Sequence, residues 1–227
     1  MGKNVVEKID DLVKINTLLV SVSDKSGLED FIPGILALNP NILILSTGGT
    51  HGKLKEILKE KAAHCLKQVS AYTGQPETQG GLVKTLDFKI YLGLLTETYN
   101  DAHIQDVKRT GALAIDMVIV NLYPFSETIA RQGVTVEEAR GNIDIGGPTM
   151  IRASAKNFLR VASVVDPASY PELLAKLRAQ NGALCLEDRF ELSKKAFEHT
   201  ACYDRNIADF LAKKTPTQVH ACYTSGE

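Results

Sequence analysis

Apolar residues along this chain fall into short continuous runs that are separated by amphipathic stretches. The runs that we predict to be buried strands cover residues 17–22, 42–45, 89–95, 115–120 and 159–165. Continuous apolar strands that alternate with helices are typical of a parallel sheet covered on both faces. The pattern therefore predicts a three-layer α/β fold, a parallel β-sheet flanked by helices.

The intervening stretches have helical spacing. Ser26 and Glu29 have the spacing of a capping box before the first predicted helix. Further helices are predicted after the second strand, over 100–109, over 171–180, and over 186–213 with a break. We accordingly expect an N-terminal extension (1–16), one domain (17–213) and a flexible tail (214–227). The α/β core of that domain ends near residue 168 and a helical extension follows it.

Composition excludes several classes of function. The 26 basic and 27 acidic side chains give a net charge of -1, which argues against a general nucleic-acid binder. No apolar run approaches the roughly 20 residues of a membrane helix, and the N-terminus lacks the apolar centre of a signal peptide. We expect a soluble cytoplasmic protein with reduced thiols and no membrane partner. A zinc site is an alternative use of the thiols, with the ligands His199, Cys202, His220 and Cys222.

Two polar corners follow the first two predicted strands. Ligands of parallel sheets bind beyond the carboxyl ends of the strands, where helices begin with free N–H groups. The first corner offers Ser23 and Lys25, and the second offers Thr47, Gly48, Gly49 and Thr50. Each corner alone is equally typical of an ordinary turn. Because successive βα units usually lie side by side, the pair predicts a phosphate site.

Three further corners carry chemistry. The first contains Lys84 and Thr85, although a solvated lysine would be ordinary there. Another contains Asn121 and Tyr123, and Tyr123 would serve equally well as a half-buried core aromatic. The last is the segment Asp144, Ile145, Gly146, Gly147 and Pro148, which leads into a helix bearing Arg152 and Lys156 on one face. Asp144 is then either a helix cap or the base of an acid–base set.

These segments together resemble a known family. VSDKSGL, STGGT, GLVKTL, IDMVIVNLYPF and NIDIGGPTMIRASAKN are similar, in this order, to the IMP cyclohydrolase half of the bifunctional purine-biosynthesis enzyme. The similarity runs from about Leu18 to about Lys213. It implies a fold related to methylglyoxal synthase. It also implies dehydrative ring closure of 5-formamidoimidazole-4-carboxamide ribotide to inosine 5′-monophosphate (IMP), without metal or other cofactor.

The resemblance also implies roles for individual residues. Lys84, Tyr123, Asp144 and Lys156 would surround the reacting groups, with Asp144 as base, Lys156 and Tyr123 as proton relay, and Lys84 with the N–H groups of Ile145 and Gly146 at the oxyanion. The substrate would be held by Ser23, Lys25, Thr47, Gly48, Gly49, Thr50, Thr85, Asn121 and Gly147. The family forms homodimers. Its formyltransferase half is not part of this sequence, so a cyclohydrolase acting alone beside a separate AICAR formyltransferase is expected.

One stretch departs from the family pattern. An arginine and two histidines of the usual motif are replaced by Leu82, Asp87 and Tyr91, and Phe88 stands in the same stretch. Loss of an arginine removes about 1 to 3 kcal/mol of charge-assisted hydrogen bonding, so altered substrate binding is expected. A regulatory module that binds a phosphorylated effector is the main alternative. A lyase resembling methylglyoxal synthase is disfavoured, because these motifs lack its catalytic aspartate and histidine.

Overall fold

The computed structural model describes residues 5–75 and 84–226. Its strands are β1 (Val13–Lys14), β2 (Thr17–Val22), β3 (Leu43–Ser46), β4 (Leu66–Gln68), β5 (Met117–Asn121), β6 (Ala162–Val164) and β7 (Ala183–Leu184). Its α-helices are α1 (Leu28–Leu38), α2 (Gly48–Leu58), α3 (Ala62–Cys65), α4 (Val69–Thr73), α5 (Phe88–Leu95), α6 (Asp101–Thr110), α7 (Phe125–Ile129), α8 (Val136–Gly141), α9 (Gly146–Lys156), α10 (Tyr170–Ala179), α11 (Leu186–Ala212) and α12 (Pro216–His220).

A parallel five-stranded sheet forms the centre of the fold, in the order β4-β3-β2-β5-β6. Side chains alternate between its two faces, so Leu18 and Val20 join one core while Leu19 joins the other. Helices α1, α2 and α10 cover the first face, and α5, α9 and α11 cover the second. The predicted three-layer arrangement is confirmed, and all strand carboxyl ends meet at one edge of the sheet.

The expected strand over 89–95 is wrong, because this segment forms the helix α5. Asp87 caps the helix by accepting the N–H of Lys89 at 2.8 Å. Ile90 and Leu94 lie four residues apart and both enter the core, which is the spacing of a helix face. A short apolar run does not by itself distinguish a buried strand from a buried helix.

Two other expectations also need correction, and one strand was missed. The N-cap residue of α1 is Gly27, whose φ of 74° lies in the left-handed region, and Ser26 does not cap the helix. The Ser26 hydroxyl donates instead to Asp24 at 2.6 Å. Residues 186–212 form one unbroken helix, α11. The edge strand β4 was not predicted, since three residues carry too little pattern.

Both ends of the described chain pack against the domain. In the N-terminal extension, β1 pairs antiparallel with β7, and the carbonyls of Asp10 and Asp11 accept from the buried guanidinium of Arg189. In the tail, α12 begins with a capping box at Thr215 and contacts α8, and the hydroxyl of Tyr223, after α12, donates to Glu137 of α8. Within the described ranges, no helix is both long enough and apolar enough to cross a bilayer.

Candidate functional site

Asn121, the last residue of β5, organises the corner after β2. Its side-chain oxygen accepts the N–H groups of Ser23 at 2.7 Å and Asp24 at 2.8 Å, and its amide nitrogen donates to the Asp24 carbonyl at 2.8 Å. Lys25 folds back so that its Nζ donates to the Ser23 carbonyl at 3.1 Å. The amide of Asn121 is therefore occupied in shaping the loop that carries the Lys25 charge.

The corner between β3 and α2 has the features of a phosphate site. Thr47 Oγ1 lies 2.9 Å from Ser21 Oγ. The buried Thr50 hydroxyl accepts from Val22 N and donates to Val22 O, both at 3.0 Å, so what it still offers a ligand is its backbone N–H. Gly49 is exposed, and a side chain there would meet no atom within 4 Å. The first turn of α2 is thus open to solvent at Gly49, and the first amides of a helix have no partner within the helix, which are the two features of an anion site at a helix N-terminus.

Lys84 and Thr85 connect this corner to the loop before α9. Lys84 Nζ lies 3.6 Å from the position that a Cβ on Gly48 would occupy. Thr85 Oγ1 lies 2.6 Å from the corresponding position on Gly146. Lys84, Thr47 and Gly48 also line one cavity together with Gln68, Ser70 and Gln75. The structure therefore brings the predicted phosphate corner and the predicted carboxylate corner together.

Asp144 lies at the start of α9 in a half-buried loop. One carboxylate oxygen accepts the Gly147 N–H at 3.0 Å, so the helix-capping interpretation is correct in part. Burial raises the pKa of Asp144, and hydrogen bonds from the amides of Gly147 and Gly146 partly oppose this increase. A carboxylate whose pKa is raised by burial is a stronger base than an ordinary one, which suits proton abstraction. The neighbouring Ile145 is 58% exposed.

Tyr123 and Lys156 are placed very differently. Tyr123 follows β5 and is 61% exposed, so the half-buried core alternative is wrong. Lys156 ends α9, ten residues after Gly146, which is about 15 Å along the helix axis. Its neighbour Asn157 donates to the carbonyls of Leu94 and Thr96, at the far end of α5. Within one chain Lys156 therefore does not join the cluster around Asp144, contrary to the expectation from its motif.

The structure shows the surroundings of three of the four residues in the stretch that departs from the family motif. Asp87 is buried as the cap of α5, and Phe88 is 60% exposed. Burial raises the pKa of Tyr91 to about 12. Thr149 and Asp144 are its polar neighbours, yet the Thr149 hydroxyl donates to the Ile145 carbonyl, and the buried phenol oxygen of Tyr91 has no hydrogen-bond partner among the described residues. Leu82, as part of 76–83, lies outside the described residues.

Two residues near the site contact the long helix α11 or belong to it. Arg152, predicted to share a face with Lys156, lies over the ring of Phe197 at 5.7 Å. Tyr203 contacts the backbone of Asp144, a contact for which its sequence position gave no signal.

No metal-binding group of three or more His, Cys, Asp or Glu side chains occurs in the ranges 5–75 and 84–226, which include the four residues of the zinc alternative.

Comparison with known proteins assigns the chain to a family. The MGS-like domain profile matches residues 28–149, more than half of the chain. The chain belongs to the MGS-like domain family. A second profile, the AICARFT/IMPCHase bienzyme, matches residues 154–226 of this MGS-like chain. The predicted fold class, α/β with an MGS-like parallel sheet and a long C-terminal helix, is therefore confirmed.

Individual relatives agree with this assignment. The bifunctional purine biosynthesis protein PurH of Neisseria gonorrhoeae is 47% identical over 87% of the chain, and the chain covers 36% of it. PurH of Bacillus mycoides is 45% identical over 86% of the chain, with 37% of its own length covered. The crystal structure of ForH superimposes with a TM-score of 0.73 and 29% identity, over 87% of this chain and 99% of that one.

The MGS-like chain thus spans little more than a third of the length of the PurH proteins that it matches. Its similarity is to their IMP cyclohydrolase region, as the five ordered motifs implied.

Proposed function

We propose that this MGS-like domain is an IMP cyclohydrolase, which closes 5-formamidoimidazole-4-carboxamide ribotide to IMP with loss of one water. The observation that carries the proposal is the position of Lys84 and Thr85. Lys84 reaches the Gly48 corner and Thr85 contacts the Gly146 corner, so one short segment joins a phosphate site to a carboxylate loop. A ribotide needs both, one for its phosphate and one for its reacting groups.

The phosphate of the ribotide suits the N-terminus of α2. The amides of Gly48, Gly49 and Thr50 lie at the positive end of that helix, Lys84 supplies cationic charge beside Gly48, and Lys25 adds a second charge from the loop after the neighbouring strand β2. The Thr47 and Ser23 hydroxyls are the remaining donors of these corners. An anchored phosphate fixes the distance from the ribose to the imidazole, which lowers the entropic cost of ring closure.

Ring closure joins the carboxamide nitrogen to the formyl carbon. Asp144 removes a proton from the attacking nitrogen, and the formyl oxygen gains negative charge. Lys84 and the amides of Ile145 and Gly146 stabilise that charge. The oxygen takes up the proton held by Asp144 and a second proton from the exposed Tyr123 hydroxyl, and it leaves as water. The formamide nitrogen then returns its own proton to the Tyr123 phenolate as the C=N bond of the new ring forms. Lys156 receives no role in this step within one chain, because it lies at the opposite end of α9 from the Asp144 loop.

The test is incubation of the protein with the formylated ribotide, with the appearance of the purine chromophore as readout. The matching riboside, which lacks the phosphate, is the control and is expected to react far more slowly. Tight binding of IMP without turnover would support the effector-binding alternative. The resemblance also supports a homodimer, which sedimentation equilibrium measures, and a separate formyltransferase as the source of the substrate.

A further inference from the structure

The backbone of Asp144 is held by a side chain from a distant part of the sequence. Its N–H donates to the phenol oxygen of Tyr203 over 2.7 Å, across 59 residues of sequence. Its carboxylate is bonded separately to the Gly147 amide. The candidate base is therefore fixed both by its own helix, α9, and by the long C-terminal helix α11.

Tyr203 is itself firmly packed. It is 7% exposed, and its ring meets Phe125 edge-on with the centroids 6.2 Å apart. Phe125 also meets Phe210, further along α11, with centroids 6.0 Å apart. Phe125 follows Tyr123 and Pro124 directly in the sequence. One tyrosine side chain thus supports both the loop that carries Asp144 and the loop that carries Tyr123.

The helix that carries Tyr203 is fastened to α9 and to the loop after it. The buried Ser193 hydroxyl donates to the Ala155 carbonyl of α9 at 2.8 Å. Arg189, which is fully buried, donates to the carbonyls of Phe158 at 3.0 Å and Leu159 at 2.9 Å. Tyr203 therefore presents its hydroxyl from a support that cannot easily move relative to α9.

We propose that Tyr203 is a positioning residue for ring closure, whose hydroxyl holds the Asp144 loop so that the carboxylate stays beside the reacting nitrogen. This inference rests on the proposed function and adds the long helix to the machinery of the site. Tyr203 touches no substrate and acts through Asp144. A hydroxyl that merely completed the core would affect stability and leave the kinetics unchanged.

The chain contains a matched control for this distinction. The hydroxyl of Tyr72 accepts the N–H of Leu113 at 2.8 Å, and Tyr72 is 8% exposed, against 7% for Tyr203. Tyr72→Phe and Tyr203→Phe thus remove the same kind of bond at nearly the same burial. Only the second bond ends on a candidate catalytic residue.

The two variants are expected to differ in kinetics. Tyr203→Phe lowers kcat by about 10- to 100-fold with little change in KM, because small displacements of a catalytic group have effects of this order. Its kcat–pH profile also changes: a freed Asp144 loop meets water and loses part of the burial that raises its pKa, so the acidic limb moves to lower pH. Tyr72→Phe lowers only the unfolding midpoint, and both variants are assayed well below their own midpoints.

A double variant tests whether Tyr203 acts through Asp144 alone. If Tyr203 acts only through Asp144, then Asp144→Asn and Asp144→Asn/Tyr203→Phe have the same kcat. A further loss in the double variant, or a Tyr203→Phe profile that matches Tyr72→Phe, overturns the positioning role while the cyclohydrolase activity stands. Absence of turnover by the unmodified protein is a different result, which overturns the proposed function and this inference with it.

Discussion

Thr85 Oγ1 occupies the space that a side chain on Gly146 would need: a Cβ at Gly146 would lie 2.6 Å from it. This close approach joins the segment before α5 to the first turn of α9. It also explains why the first residue of α9 is a glycine, since any larger residue would push Thr85 away from the site.

Gly146→Ala is expected to raise KM for the formylated ribotide by about 10-fold, because the added methyl group displaces the Thr85 hydroxyl that we propose binds the substrate, and one such hydrogen bond contributes about 1 kcal/mol. Gly141→Ala is the control, because a Cβ at Gly141 meets no atom within 4 Å. Steady-state kinetics on both variants provides the measurement. Equal KM values would show that the Thr85 contact does not bear on binding.

Gly49 and Gly52 provide a second pair of positions for a test variant and its control. Both lie in α2, and a Cβ at either position meets nothing within 4 Å. Alanine at each is expected to stabilise the free protein by up to about 1 kcal/mol through helix propensity. Only Gly49→Ala is expected to weaken IMP binding, because its methyl group enters the space assigned to the phosphate. Calorimetric titration with IMP checks this, and unchanged affinity in Gly49→Ala would place the phosphate elsewhere.

Asp144→Asn is expected to reduce kcat by about 100- to 10,000-fold, the usual contribution of a general base. Since burial raises the pKa of Asp144, the activity of the unmodified protein should fall, as the pH is lowered, at a higher pH than an ordinary aspartate would give. The kcat–pH profile tests both statements. An acidic limb at the value of an exposed carboxyl would argue against Asp144 as the base.

Tyr91→Phe is expected to leave stability unchanged or raise it by about 1 kcal/mol, because it removes a buried hydroxyl without a hydrogen-bond partner among the described residues. Tyr72→Phe should instead destabilise by a similar amount, since its hydroxyl accepts the Leu113 N–H. Urea unfolding compares the two. A clear loss of stability in Tyr91→Phe would reveal a partner for its hydroxyl.

Arg160→Leu is expected to destabilise the fold by about 3–5 kcal/mol, because it leaves the Asp116 carboxylate buried without its cation. Burial raises the pKa of Asp116, and Arg160 opposes that increase. Without Arg160 the pKa rises further, so the destabilisation should be greatest at high pH and shrink as Asp116 becomes protonated at low pH. Urea unfolding of both proteins at a series of pH values measures this difference in the free energy of unfolding. Adding Asp116→Asn should restore part of the loss, and no recovery would contradict this account.

The sequence by itself determined the layered α/β fold and the edge of the sheet at which the site lies. Continuous apolar strands require cover on both faces, and the carboxyl ends of parallel strands converge at one edge. The polar corners at Lys25, Thr47 and Asn121 could therefore be grouped from their positions after strands. Asp144 follows no strand, and only its motif at the start of a predicted helix linked it to them.

Only the tertiary structure decided what depends on direction and distance. Asp87 caps a helix where an apolar run resembled a strand, because local period alone does not separate the two in a short segment. Lys156 shares a motif with Asp144, yet the length of α9 separates them. Tyr203 is distant in sequence but bonds to Asp144, because α11 packs against α9. Contacts between distant segments depend on how whole helices pack, and no local pattern of residues encodes that.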